Sequence, residues 1–153
     1  MKIMFVCTGN ICRSAMAEGY LKMILSRKKI GNIEVCSSGI YAEDGEEASY
    51  LAKRTMADYD VDLSGHRATN IKNSMAQEMD LILCATMAHK QLLIQIYPSL
   101  KEKTYTIKEY AYGESCEKKD ISDPWGYDST IYKRCAEEIV EAIDTIVIKL
   151  EAN

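Results

Sequence analysis

Little in this chain interrupts it or cross-links it. Only two prolines are present in 153 residues, and no glycine- or serine-rich stretch marks a linker, so one domain spanning residues 1–153 is expected. No CxxC pair exists, and the two histidines, His66 and His89, stand in different segments, which argues against a structural zinc site. The six cysteines are irregularly spaced in a chain large for a disulfide scaffold, and they read as reduced, packed side chains. No apolar run reaches the length of a membrane span or a secretory leader, since the one near the N-terminus covers only Ile3 to Cys7, and a cytoplasmic protein is expected. The net charge of −4 and the lack of a basic run argue against nucleic acid or an anionic membrane as the main partner.

What the chain does contain is an alternation of short apolar runs and amphipathic segments. Lys2 to Cys7 (KIMFVC) has no polar alternation and suits a strand buried on both faces. Ile33 to Ser37, Met79 to Ala85 and Thr104 to Ile107 are further strand candidates. Helices are expected over Ala15 to Arg27 with Ser14 as N-cap, over Glu46 to Tyr59, over Met87 to Ile96, and over Thr130 to Leu150. In the last of these a stripe runs through Ile131, Cys135, Ile139, Ala142, Ile143, Ile146 and Leu150. Ser115 to Ser129 is polar, contains Asp-Pro and Gly, and reads as a loop. Strands alternating with helices imply an α/β fold with a parallel sheet covered on both faces. In such sheets ligands bind beyond the carboxyl ends of the strands, which directs attention to the segment beginning at Cys7.

That segment reads Cys7-Thr8-Gly9-Asn10-Ile11-Cys12-Arg13-Ser14. A cysteine and an arginine at this spacing recur by chance. The added Gly, Asn, hydroxyl and placement between a first strand and a helix make the pattern specific. A tight loop at a helix start turns successive backbone N–H groups toward one point and forms an anion-binding nest. Gly9 removes a Cβ where the backbone approaches the anion, and Asn10 is a non-glycine residue that tolerates left-handed geometry. Arg13 offers a planar fork that grips two phosphate oxygens and stabilises transition-state charge. The same positive field favours the thiolate of a cysteine, which makes Cys7 a candidate nucleophile, and Ser14 can donate a hydrogen bond to its sulfur. Phosphate ester cleavage also needs a proton donor for the departing oxygen. Asp123, held extended by Pro124, is the candidate, with Asp120 and Asp128 as local competitors that precede no proline.

The string VCTGNICRSAMAEG resembles the signature of the low-molecular-weight protein tyrosine phosphatases, and DPWG at 123–126 resembles their acid loop. Ala15 departs from the proline common after Arg-Ser in that family, a change without chemical consequence. The resemblance implies a three-layer α/β/α, flavodoxin-like fold with a four-stranded parallel sheet and no cofactor. It also implies hydrolysis of phosphotyrosine-containing proteins through a phosphocysteine on Cys7, with inorganic phosphate as product. Residues Thr8 to Arg13 (Thr8, Gly9, Asn10, Ile11, Cys12, Arg13) would bind phosphate, and Asn10, Ser37 and His66 would form a supporting hydrogen-bond network. Ile11, Tyr41, Trp125 and Tyr127 would wall the substrate slot. Cys12 would protect the nucleophile by a reversible disulfide. Oligomeric state is left open.

Three rivals share parts of this pattern. Arsenate reductases on the same scaffold need two further cysteines. Cys84 stands near the first position, but Ala85 to Ser115 contains none. Protein arginine phosphatases, a branch of the same family, carry Thr where Ile11 stands, and a hydroxyl there suits a polar guanidino phosphate better than an aryl ester. Phosphocysteine carrier modules also place a cysteine after a first strand, but they need no general acid, so Asp123-Pro124 argues against them.

Overall fold

The computed structural model describes residues 1–152. Strands β1 (Lys2–Cys7), β2 (Glu34–Gly39), β3 (Leu81–Cys84) and β4 (Thr104–Thr106) form one sheet in the order β2-β1-β3-β4, all pairs parallel. The connecting helices are α1 (Arg13–Arg27), α2 (Tyr50–Ala57), α3 (Met87–Ile96), α4 (Ile107–Tyr112) and α5 (Ser129–Glu151). The expected layered α/β arrangement is therefore present.

Strand β1 shows why its run lacks polar alternation. Ile3 and Phe5 join an apolar cluster with α1 and α5, whereas Met4 and Val6 join a second cluster on the opposite face with Ile82, Leu93 and Leu100. Both faces are dry, so both parities are apolar. Burying each such side chain contributes about 1.5–3 kcal/mol. The stripe predicted for α5 is buried from Cys135 to Leu150, while Ile131 at its start is only partly covered.

Several boundaries differ from the sequence reading, each for a tertiary reason. Helix α1 starts at Arg13 rather than after Ser14, and its N-cap is Cys12, whose side chain makes no cap bond. Ser14 is therefore inside the helix, its hydroxyl committed elsewhere. Helix α2 begins at Tyr50, not Glu46, because residues 46–49 are drawn into other contacts: Glu47 bridges Arg67, and the Ser49 amide donates to the Ile11 carbonyl at 2.9 Å. Strand β2 extends to Gly39, where it meets Cys7 across the ladder. Helix α4 was not expected. Its signal was the capping box formed by Thr106, the last residue of the fourth strand, and Glu109.

Because the strands are parallel, Cys7, Gly39 and Cys84 end on the same edge of the sheet. The chain leaves β1 and β3 toward opposite faces, and the crevice between those departures is where the loop beginning at Cys7 lies.

Candidate active site

The loop from Cys7 to α1 is held open by its own backbone. Asn10 takes φ of 58°, the left-handed region that reverses the chain within one residue. None of the backbone N–H groups from Thr8 to Cys12 donates to a protein acceptor among the described residues. The first turn of α1 adds further free N–H groups, no acidic side chain, and the positive end of the helix dipole. The arrangement is an unfilled acceptor demand in a closed loop, which is the property of an anion site.

A directional hydrogen-bond chain keeps that geometry. The Thr69 amide donates to Asn10 Oδ1 at 2.9 Å, which fixes the Asn10 amide orientation. Asn10 Nδ2 then donates to Ser14 Oγ at 2.7 Å and Ser37 Oγ at 2.8 Å. The Ser37 hydroxyl in turn donates a hydrogen bond to the Glu18 carboxylate. Ser14, having accepted from Asn10, directs its hydroxyl hydrogen at Cys7 Sγ, 2.9 Å away. His66 Nε2 donates to the Asn10 carbonyl at 2.7 Å, so Nε2 carries the proton, and its Nδ1 stands 3.9 Å from Glu18 Oε1. The sequence pointed to Asn10, Ser14, Ser37 and His66, but not to Glu18 or Thr69.

Gly39 was missed as well. A Cβ there would lie 2.5 Å from the Thr8 carbonyl oxygen and 2.9 Å from the Asn10 nitrogen. Strand β2 and the loop can pack this closely only without a side chain. Gly9 is different. A Cβ at Gly9 would meet only the Ile11 side chain, at 3.7 Å, so the fold itself does not require glycine there.

Cys7, Thr8, Gly9, Ile11, Cys12, Arg13, Asp123 and Trp125 line one cavity. The Arg13 side chain is buried, donates from Nη1 to the Ile121 carbonyl at 2.8 Å, and leaves Nε without a partner. A buried guanidinium with an unmatched donor is costly to the fold. Asp123 Oδ2 stands 3.6 Å from Arg13 Nη2, and its Oδ1 accepts from the Trp125 amide at 3.1 Å. The two competitors are engaged elsewhere. Asp120 accepts from the Met87 amide at the start of α3, and Asp128 caps α5 by accepting from Ile131. Tyr41 and Tyr127, predicted as pocket walls, do not line the cavity. Both are exposed, tied nearby through their backbones to Thr8 and Pro124.

All six cysteines are free. The Cys12 thiol lies 3.2 Å from the Tyr132 hydroxyl and 3.4 Å from Ser49 Oγ, and burial pushes its pKa up. Burial also raises Cys36 to about 11 and Cys135 to about 12, and raises Cys84, so these three stay protonated thiols. Among the described residues no group of three or more His, Cys, Asp and Glu side chains is placed to hold a metal ion, and no helix is long and apolar enough to cross a membrane.

The chain is similar to a protein-arginine-phosphatase of Geobacillus stearothermophilus, with 33% identity over 99% of this chain and 97% of that protein. It is also 33% identical to a probable low molecular weight protein-tyrosine-phosphatase, EpsP, of Ralstonia nicotianae, over 98% of this chain and 96% of the relative. The solved structure of YwlE arginine phosphatase from Geobacillus stearothermophilus superposes with a TM-score of 0.89 at 33% identity, covering 99% of this chain and 93% of that one. With residues 2–153 matching the description of the low molecular weight phosphotyrosine protein phosphatases, the chain belongs to that family of phosphatases.

Proposed function

We propose that this protein hydrolyses phosphotyrosine in proteins, and small aryl phosphates, through a phosphocysteine on Cys7. The observation that carries the reading is the cavity lined by Cys7, Asp123 and Arg13, whose buried guanidinium keeps one nitrogen, Nε, without a partner, beside a loop of backbone N–H groups that meet no protein acceptor among the described residues. The phosphate oxygens would take those N–H groups and Arg13, leaving phosphorus in line with Cys7 Sγ. As sulfur attacks, the P–O bond to the leaving group breaks and Asp123 gives that oxygen its proton. Water then attacks the phosphocysteine with Asp123 as base, inorganic phosphate departs, and the Ser14 hydroxyl stabilises the returning thiolate. Cys12 lines the same cavity as Cys7, which supports a reversible protective disulfide between them.

The walls favour an aryl ester. Ile11 and Trp125 flank the catalytic groups with apolar surface, and among the described residues Asp123 is the only carboxylate lining the cavity, already assigned to proton transfer. A second reading is supported by the relatives named protein-arginine-phosphatase, one of them 33% identical over nearly the full chain. Comparing kcat/KM for matched phosphotyrosine and phosphoarginine peptides separates the two. The proposal expects the phosphotyrosine peptide to be preferred, and Ile11→Thr to move the ratio toward phosphoarginine. A wild-type preference for phosphoarginine would give the arginine reading precedence. Of the remaining rivals, the arsenate shuttle is disfavoured by the full burial of Cys84 in β3.

A further inference from the structure

His89 is buried and makes contacts at both ring nitrogens. It lies in the first turn of α3, on the far side of the crevice from α1. Its Nε2 is 2.8 Å from Thr8 Oγ1, and its Nδ1 is 2.8 Å from Thr86 Oγ1. Thr86 is also the N-cap of α3 and accepts the His89 backbone N–H at 3.2 Å. Burial, and next the Arg13 guanidinium, lower the His89 pKa to about 4, against the opposing pull of Asp120 and Asp123, so the ring is neutral at ordinary pH.

A neutral imidazole donates from one nitrogen and accepts at the other, and the cap decides which. Thr86 Oγ1 already accepts from the His89 amide. If Nδ1 also donated to it, the Thr86 hydroxyl hydrogen would have no acceptor among the described residues. If Thr86 donates to Nδ1 instead, every group is matched and the ring proton sits on Nε2. Nε2 then donates to Thr8 Oγ1. The Thr8 hydroxyl, its acceptor side used by His89, keeps its own hydrogen for the cavity that Thr8 lines.

We infer that His89 is a positioning residue that, oriented by Thr86, turns the Thr8 hydroxyl into a hydrogen-bond donor toward the phosphoryl group of the substrate. This rests on the phosphatase reading of the Cys7 site. In the opposite tautomer Thr8 would present only lone pairs to an anion and repel it. The Thr86-x-x-His89 register thus couples a helix cap on β3–α3 to anion affinity on β1–α1.

The test measures inhibition by inorganic phosphate and kcat/KM for p-nitrophenyl phosphate in wild type, Thr8→Val, His89→Ala, His89→Gln and the Thr8→Val/His89→Ala pair. A hydrogen bond to a charged acceptor implies that Thr8→Val weakens phosphate binding by about tenfold to a hundredfold. His89→Ala should do the same. His89→Gln, whose amide can reach Thr8 as Nε2 does, should recover most of the loss, and the double variant should be no worse than Thr8→Val. Nitrogen NMR of the wild-type imidazole should report the Nε2–H tautomer. Thr8→Val binding phosphate within about twofold of wild type, or an Nδ1–H ring, would overturn the inference, and Thr8→Val keeps the test open even if His89→Ala misfolds. Failure of the phosphatase reading would look different: wild type itself would not turn over p-nitrophenyl phosphate.

Discussion

Replacing Gly39 by alanine tests whether the end of β2 sets the shape of the loop from Cys7 to Arg13. The added methyl would sit 2.5 Å from the Thr8 carbonyl oxygen and 2.9 Å from the Asn10 nitrogen, against an ordinary contact of 3.4 Å or more. Both neighbours are backbone, so no side chain can swing aside, and the loop must retreat by about 1 Å or the strand must bend. Overpacking of this kind costs about 1–3 kcal/mol, and the stiffer unfolded chain offsets about 0.4–1 kcal/mol of it. A net loss of roughly 1–2 kcal/mol in urea unfolding is expected. The functional loss should be larger in proportion, because a shift of about 1 Å in groups that grip a transition state can cost on the order of 100-fold in rate. Gly9→Ala is the control, since its methyl meets only Ile11 at 3.7 Å. It should leave stability near wild type and lower kcat/KM only through the space a bound phosphate needs. If Gly39→Ala matched wild type in both stability and turnover, the claim that β2 shapes this loop would be wrong.

Other outcomes follow from the same geometry. Asn10→Ala removes the side-chain bonds to Ser14, Ser37 and Thr69 while the backbone still demands positive φ, and should cost roughly 2–4 kcal/mol by thermal or urea unfolding together with most of the activity. Asp123→Ala should lower kcat for p-nitrophenyl phosphate by about 100- to 10,000-fold, whereas Asp128→Ala should cost about 1 kcal/mol of stability through its lost cap and leave turnover close to wild type; equal effects on turnover would sink the assignment of the acid. His89 gives a pH signature in stability. Its folded pKa of about 4 lies below the unfolded value of about 6.5, so between them the unfolded chain binds the extra proton and stability falls as pH drops through that window. The loss from this group is on the order of 2–3 kcal/mol, and His89→Gln should flatten the pH dependence of the urea midpoint between those values.

The loop from Cys7 to Ser14 was legible because its residues are contiguous. The proposed nucleophile, the glycine, the asparagine and the arginine lie within one short segment, and the dry strand before it fixes their place in the fold. Helix α3 has the bounds expected for it, Met87 to Ile96, with Pro98 following shortly after its end; the structure adds Thr86 as its N-cap. What escaped was built from partners far apart in the chain. Thr69 holds Asn10 from 59 positions away, and His89 meets Thr8 across 81. No local pattern announces such pairs. Gly39 escaped because its reason is the backbone of another segment, not its own φ. Helix α4 was lost in the run after β4 because buried Lys108 and Glu109 break the apolar period; their charges are answered by Glu138, Lys90 and Lys119. Of the aromatic walls that the family resemblance named, Trp125 lines the cavity, whereas Tyr41 and Tyr127 stand exposed outside it.

The central claim is that phosphate passes through the Cys7 sulfur. Acid-quenching the Asp123→Ala variant during turnover of p-nitrophenyl phosphate, then mapping the label by mass spectrometry, tests it most directly, since that variant lacks the base for the hydrolytic step. One phosphoryl group is expected on the peptide carrying Cys7, absent when Cys7 is alanine. A phosphoryl group on another residue, or turnover that survives Cys7→Ala, would contradict it.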